Sequence, residues 1–190
     1  MAIDSTSIET AVADILVAIG EDAGRPGLAD TPRRVAQAYA EFFSGVGVDP
    51  RMHLADAVDV EPGQRGELVL LRGLDFRSVC EHHLLPFLGT AHVAYIPSDR
   101  IVGLGSLARV VETLASRPQL QERLTEEIAD ALTDGLGAAG VLVVLDAVHG
   151  CVTARGPRQV NSSTVTMASR GTLGDPVQRA EVMALIGATA

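Results

Sequence analysis

Two cysteines and three histidines occupy two short segments of the chain, and their types and spacing are those of a zinc site. The run Cys80–His83 reads Cys-Glu-His-His, and Cys151 follows His149 by two residues. Thiolate sulfur and neutral imidazole nitrogen are preferred zinc ligands; structural sites usually close with four protein ligands, whereas catalytic sites leave one position to water. A Cys-x-x-His pair with one distant cysteine supplies three ligands. The pattern therefore favours a catalytic zinc centre.

Three other interpretations of the cysteines remain to be weighed. A disulfide between Cys80 and Cys151 requires an oxidising compartment, which nothing in the sequence indicates. Two cysteines buried as small hydrophobic residues have no need of Glu81, His82 or His149 beside them. A structural zinc site completed by His82 or His149 stays open at this point.

The composition of the chain restricts the class of protein. Its 190 residues, 47% of them hydrophobic, suffice for one domain with its own core. A formal net charge of −9 argues against a nucleic-acid partner, because neutralising phosphates requires a basic face. There is no apolar run long enough to cross a bilayer, and residues 1–10 are too polar for a signal peptide. We therefore expect a cytoplasmic protein without a membrane partner.

Helical spacing of apolar residues predicts an N-terminal arm within residues 1–60. The first helix is expected over Ser7–Ile19. The second is expected to start at Asp30-Thr31-Pro32, a cap candidate followed by proline, and to run through Phe43.

Residues 61–190 are predicted to form one α+β catalytic domain, which acts with the arm as a single functional unit. The expected strands are Leu68–Leu71, Asp75–Val79, Thr90–Ile96, Val141–Val148, Val152–Arg155 and Thr164–Ala168, and the expected helices are Gly103–Ala115, Gln119–Leu136 and Pro176–Ile186. The order strand, strand, helix, helix, strand, strand is typical of an antiparallel sheet with helices packed on one face. Because the edges of such a sheet are open, we expect oligomerisation that joins sheets between subunits.

Four motifs follow one another along the chain from about Asp30 onward. They are Asp30–Pro32, Ser78–Phe87, Arg117–Leu124, and His149–Cys151 followed by Arg155–Gly156. Together they resemble the GTP cyclohydrolase I family, zinc enzymes that open the purine ring of GTP on the way to pterins. The resemblance implies the tunnelling fold, in which pentamers stack into a decamer and active sites lie between subunits.

The resemblance also implies a role for each residue of the proposed zinc site. Cys80, His83 and Cys151 match the family's zinc ligands, which leaves the fourth position to a water that attacks C8 of guanine. That carbon becomes electrophilic when N7 is protonated, and His82 and His149 match the histidines near N7. Histidine suits this task because its ordinary pKa is near 6.5.

Substrate contacts are implied in the same way. Glu122 matches the carboxylate that accepts hydrogen bonds from N1 and N2 of guanine, with Gln121 beside it. Arg34, Arg109 and Arg155 match arginines that hold the triphosphate, which a guanidinium fork can contact through two nitrogens. The implied products are formate and dihydroneopterin triphosphate.

The chain departs from the family in the region expected to bind phosphate. Gly105 and Ser106 stand where the family usually has Ser then Lys, and Gln37 stands where it often has Lys. Ser106 is kept as a candidate substrate residue. Two expectations stay open: other arginines such as Arg33 or Arg158 compensate, or a specialised enzyme acts on a guanine nucleotide or nucleoside with fewer phosphates or stops at a ring-opened pyrimidine.

Two rival functions exist on the same fold. One is a non-catalytic, zinc-bearing oligomeric binding module, and His82 and His149 argue against it because a structural zinc site does not need them. The other is a nitrile reductase with a nucleophilic cysteine and a nicotinamide cofactor. The Cys-x-x-His pair with Cys151 argues against the reductase.

Overall fold

The computed structural model describes residues 3–60 and 66–187. Its helices are α1 (Ser5–Ala18), α2 (Thr31–Phe42), α3 (Leu104–Ala115), α4 (Gln121–Leu136), α5 (Gly150–Thr153) and α6 (Pro176–Gly187), with short 3₁₀ helices at Pro50–Leu54 and Thr172–Gly174. Its strands are β1 (Val58–Asp59), β2 (Val69–Cys80), β3 (Pro86–Ile96), β4 (Arg100–Ile101), β5 (Pro118–Gln119), β6 (Gly140–His149) and β7 (Thr164–Gly171).

Five strands form the main sheet in the order β5-β2-β3-β6-β7. All neighbours are antiparallel except β5, which lies parallel to the end of β2. The strands β1 and β4 pair separately. The predicted α+β class is confirmed, and β5 is an addition that the sequence pattern did not indicate.

The strands predicted over Leu68–Leu71 and Asp75–Val79 form one strand, β2. Its pairing with β3 shifts register between Leu71 and Leu74. Gly73 lies in this bulge with a φ of 69°, a left-handed conformation that glycine adopts without Cβ strain. The glycine therefore bends the strand and does not end it.

The strand predicted over Val152–Arg155 is wrong. His149, the last residue of β6, is paired with Phe87 near the start of β3, so the residues that follow have no ladder partner. The chain turns instead into α5, where the Thr153 hydroxyl donates to the His149 carbonyl oxygen over 3.1 Å. β-branched composition favoured a strand, but the end of the neighbouring strand determined the structure.

Alternate residues of β6 point to opposite faces of the sheet, and both faces are covered. Val143 and Leu145 lie in the larger core, which contains α3 and α4. Leu142 and Val144 lie in a smaller core with Val182 of α6. The expectation that the helices pack on one face therefore needs correction, because α6 covers the other. A strand that is apolar on both faces requires such cover.

The N-terminal arm consists of α1 and α2, which pack against each other. Three apolar side chains at the end of α1 stay exposed: Ile15, Val17 and Ile19 are 58%, 65% and 68% exposed. Among the described residues, no helix has the length and hydropathy that a membrane crossing requires.

The larger core depends on the inward face of α4. Leu124, Ile128 and Leu132 recur at helical spacing and are fully buried. Leu132→Ala should lower the free energy of unfolding by about 2–5 kcal/mol, because the cavity adds to the lost transfer free energy. Val177→Ala, at a position 68% exposed, should change it by less than about 0.5 kcal/mol. Equal losses in urea denaturation would contradict this account of the core.

Candidate active site

Three side chains that can bind a metal converge at one end of the sheet. The Sγ atoms of Cys80 and Cys151 and a ring nitrogen of His83 all lie within 4.8 Å of one another. Cys80 Sγ is 3.9 Å from His83 Nδ1, and tetrahedral zinc holds such atoms about 3.5–3.8 Å apart. The described residues add no fourth ligand to this group. Two thiols and an imidazole therefore fit zinc with one position free for water.

The sheet and two turns position these ligands. Strand β3 pairs with β2 on one side and β6 on the other, which brings the ends of β2 and β6 together. After β2, a tight turn is closed by the hydrogen bond from Leu84 N–H to the Cys80 carbonyl oxygen over 2.8 Å. Leu84 has a φ of 51°, in the left-handed region. Cys151 lies on α5, directly after β6.

The environment of the two thiols also suits a cation. Burial raises the pKa of the Cys151 thiol and the neighbouring Cys80 raises it further, whereas Arg155 lowers it. Two thiols side by side resist ionising together, and a divalent cation between them favours both thiolates.

A cavity of 440 Å³ opens beside the ligands. Its wall consists of Cys80, His82, Gln119, Leu120, Gln121, Glu122, His149, Cys151, Val152 and Thr164. Six of these ten residues are predicted site residues. Gln119 and Leu120 lie in the motif Arg117–Leu124, which gave them no assigned role. Nothing in the sequence indicated that Val152 and Thr164 belong to the site. The size suits a small organic substrate.

The two predicted catalytic histidines have different surroundings. His149 stacks on Phe87 with ring centroids 4.6 Å apart and an angle of 7°. Burial lowers the pKa of His149, and the nearby Glu122 carboxylate raises it. His82 is exposed and meets His83 edge to face, with centroids 6.2 Å apart. Both histidines line the cavity, which keeps the predicted acid roles available.

The predicted guanine-binding pair begins α4. Glu122 is exposed in the first turn of the helix, where the helix dipole favours a negative charge. Gln121 is 1% exposed, and its side chain hydrogen-bonds to neighbouring protein groups. The carboxylate is therefore free to meet a ligand, whereas the amide is engaged within the protein.

The predicted phosphate-binding residues lie outside the described wall of the cavity. The guanidinium of Arg109 donates to the buried Ser106 hydroxyl over 3.0 Å. Arg34 forms an exposed ion pair with Asp30 at 3.3 Å. Arg155 is exposed after α5. One chain thus brings the metal ligands, histidines and carboxylate together, but not the arginines.

An ion pair that the sequence did not indicate joins the metal-binding turn to α4. The guanidinium of Arg123 donates to the Glu81 carboxylate, and its Nε donates to Gln119 Oε1 over 3.1 Å. The ion pair raises the pKa of Arg123 and lowers the pKa of Glu81. Glu81 lies between Cys80 and His83 in the sequence, and Arg123 directly follows Gln121 and Glu122. This contact therefore links the metal-binding turn to the start of α4.

Arg123→Met should weaken zinc binding by about tenfold, because the turn that carries Cys80 and His83 loses its tie to α4. Competition with a chelating dye would measure the affinity. Arg25→Met is the matched control, since Arg25 forms an ion pair of similar exposure with Glu21 in the N-terminal arm. Equal zinc affinity in the wild type and Arg123→Met would contradict the role of the ion pair.

The chain is similar to known proteins in sequence and, more weakly, in structure. Among solved structures, the archaeosine synthase QueF-Like in the apo form aligns with a TM-score of 0.48 and 18% identity, covering 57% of this chain and 97% of that chain. The model of the GTP cyclohydrolase I family matches residues 8–187.

Three relatives named GTP cyclohydrolase 1 match almost the whole chain. The protein from Leifsonia xyli is 62% identical over 184 residues, covering 97% of this chain and 96% of the relative. Those from Carboxydothermus hydrogenoformans and Rhodopirellula baltica are 53% and 51% identical, covering 97% and 99% of this chain and 96% and 81% of the relatives. The chain therefore belongs to the GTP cyclohydrolase I family and has the tunnelling fold of that family.

Proposed function

We propose that this chain catalyses the zinc-dependent hydrolytic opening of the guanine imidazole ring of GTP. One GTP and one net water give one formate and one dihydroneopterin triphosphate. The observation that carries the proposal is the cavity itself, because its wall contains Cys80 and Cys151 of the metal-binding group, His82 and His149, and the Glu122 carboxylate. Relatives named GTP cyclohydrolase 1 at 50–62% identity support it.

Cys80, His83 and Cys151 would hold the zinc. Bound in a three-ligand site of this kind, zinc lowers the pKa of a coordinated water towards neutrality and so supplies a nucleophile for C8. The chain's part is to hold the three ligand atoms in place and to keep the cavity beside them open to the purine.

His82 and His149 supply the acid and base chemistry. A proton delivered to N7 makes C8 electrophilic, and later stages move protons between the same ring and solvent. Imidazole suits both directions because its ordinary pKa is near neutrality. The stacking of His149 on Phe87 fixes the plane of one of the two rings.

Glu122 orients the purine. Its two carboxylate oxygens can accept hydrogen bonds from the N1 and N2 donors of guanine, and its place in the first turn of α4 directs it to the cavity. Adenine offers neither an N1 donor nor a 2-amino group, so the carboxylate favours guanine.

The active site is completed between copies of the chain in a homo-oligomer, which we take to be a decamer of two pentamers. Arg34, Arg109 and Arg155 would hold the triphosphate, yet within the described residues of one chain they do not line the cavity. The sheet also ends in exposed edge strands, and the apolar end of α1 is uncovered. These features support assembly by joining sheets and arms.

The residues expected to bind phosphate favour GTP as the substrate but leave a second candidate, a substrate with fewer phosphates. Ser106 is neutral and accepts a hydrogen bond from Arg109, and Gln37 accepts one from Arg33 over 3.3 Å. Neutral residues thus orient arginines where the family usually or often has lysine. We place GTP first because arginines remain on the predicted phosphate-binding segments.

The experiment is to offer zinc-loaded protein GTP, GDP, GMP and guanosine in parallel, and to measure formate release and the fluorescence of oxidised pterin. We expect formate and pterin with the highest kcat/KM for GTP. A higher kcat/KM for GMP or guanosine, or formate without pterin, would favour the second candidate. Turnover of none would favour a zinc-bearing binding module.

A further inference from the structure

The side-chain amide of Gln121 can adopt only one of its two orientations. Its Nε2 lies 2.8 Å from the Thr164 carbonyl oxygen, 3.2 Å from the Leu145 carbonyl oxygen and 3.1 Å from Thr166 Oγ1. Carbonyl oxygens only accept hydrogen bonds, so the NH₂ group must face them. The reversed amide would bury an oxygen against two carbonyl oxygens.

Two threonine hydroxyls are ordered by the same network. Thr125 Oγ1 donates to the backbone oxygen of Gln121 over 2.7 Å and lies 2.6 Å from Thr166 Oγ1. Because the Thr125 hydrogen is used, Thr166 donates to Thr125 and keeps a lone pair for the Gln121 amide. The network therefore has one consistent set of donors, and it leaves Gln121 Oε1 as an acceptor facing His149.

This acceptor determines the protonation of one nitrogen of His149. Gln121 Oε1 and His149 Nε2 are 2.7 Å apart, and since the oxygen carries no hydrogen, Nε2 must donate. Nε2 is then protonated whether the ring is neutral or charged. Among the described residues Nδ1 has no hydrogen-bond partner, and it is not one of the buried unpaired atoms. Nδ1 is therefore accessible to solvent, on a residue that lines the cavity.

The orientation of the ring is fixed in two ways. Phe87, which is fully buried, stacks on the His149 ring and sets its plane. The hydrogen bond to Gln121 sets the rotation within that plane. Gln121 directly precedes Glu122 at the start of α4, so one helix end positions both the carboxylate and the histidine.

We infer that Gln121 is a positioning residue that holds His149 as the Nε2–H tautomer, so that Nδ1 is the nitrogen that exchanges a proton with the substrate. This assigns to Gln121 a role other than the direct substrate contact that the sequence suggested. The inference rests on the proposed function for the identity of the substrate, but the tautomer itself is a property of the protein.

The first test is NMR of the zinc-loaded, full-length protein with ¹³C,¹⁵N-labelled histidine, at a pH above that of imidazole titration. His149→Asn identifies the His149 resonances by their loss. We expect a hydrogen on Nε2 with the shift of a strong hydrogen bond, and an unprotonated Nδ1. Gln121→Met, of similar length, should lose the hydrogen-bonded signal. A hydrogen on Nδ1 in the wild type, or an unchanged Nε2 signal in Gln121→Met, would overturn the inference.

The second test is a double-mutant cycle on formate release from GTP. Gln121→Met should lower kcat by about 10–100-fold, a part of what acid–base catalysis supplies, with a smaller change in KM. In a His149→Ala background the same change should cost nothing further, because Gln121 acts through His149. Thr133→Val controls for weakening of α4, since that hydroxyl donates to the Ala129 carbonyl oxygen, away from the cavity. A raised KM with equal losses in both backgrounds would indicate direct substrate contact and overturn the inference.

The two tests separate this inference from the proposed function. If the wild type released no formate from GTP, the proposed function would fail, while the NMR result would still decide the tautomer. If the wild type released formate but carried a hydrogen on Nδ1, only the role of Gln121 would fail.

Discussion

Cys151→Ala is expected to abolish zinc binding and to reduce formate release from GTP by roughly 10³-fold or more. The change removes one of three ligands that lie within 4.8 Å of one another. The remaining cysteine and histidine cannot hold zinc with the affinity that a catalytic site needs. Metal analysis of the purified variant and a formate assay would measure both effects.

Two controls make the result specific to the metal. His92→Gln changes a histidine on β3 that accepts a hydrogen bond from Gly73 N–H over 3.4 Å and lies outside the cavity wall, so zinc content and turnover should stay near those of the wild type. Removing zinc from the wild type with a chelator should reproduce the loss, and added zinc should reverse it. Full turnover by Cys151→Ala, or by the zinc-free wild type, would contradict the assignment of these ligands.

Glu122→Gln is expected to lower kcat/KM for GTP by roughly 10³-fold, because a site built to hydrogen-bond a ligand strongly rejects a mismatched pair. The carboxylate offers two acceptors to the N1 and N2 donors of guanine, whereas an amide offers one acceptor and one donor. Xanthine has a donor at N1 and an acceptor at position 2, so the ratio of kcat/KM for XTP to that for GTP should rise in the variant.

Glu126→Gln is the matched control for this change. Glu126 lies on α4 one turn after Glu122, pairs with Arg170 and stands outside the cavity wall. Its variant should keep the kcat/KM for GTP and the preference for GTP over XTP. If Glu122→Gln also left both unchanged, Glu122 would be an ordinary solvated carboxylate of the helix.

The α+β class and a group of residues that could hold a metal could be predicted from the sequence, because both leave local patterns of residue type and spacing. Cysteine and histidine at zinc-ligand spacing are informative by type, and apolar periodicity indicates the helices of the core. The convergence of Cys80, His83 and Cys151 in one group agrees with that prediction. The family resemblance is confirmed by a family model that matches residues 8–187.

Errors arose where distant pairing overrides local preference. Val152 and Thr153 have high strand propensity, yet they form a helix because the neighbouring strand ends beside His149. The position of α6 likewise depends on which face of β6 is left uncovered. Propensity alone does not contain this information.

The sequence pattern also did not predict contacts between side chains that lie far apart in the sequence. Gln121 has hydrogen-bond partners on both β6 and β7, and the ion pair of Arg123 with Glu81 spans 42 residues. A buried glutamine and a surface arginine have the same residue types whether they hold a catalytic group or fill space. Only the geometry distinguishes these cases.

The roles of Arg34, Arg109, Arg155 and Ser106 stay predictions, as do the decamer, the division at residue 60 and the cytoplasmic location. The arginines lie outside the described cavity wall of a single chain. The proposed site between subunits would account for that arrangement, and the substrate series above tests how many phosphates the site holds.

The proposed reaction removes C8 of guanine from the purine, and ¹³C NMR of zinc-loaded protein with GTP labelled at C8 would follow that carbon. If this reaction occurs, the C8 signal disappears from the purine and an equal amount of labelled formate forms together with dihydroneopterin triphosphate. A C8 signal that stays in the purine, with zinc bound to Cys80, His83 and Cys151, would contradict it.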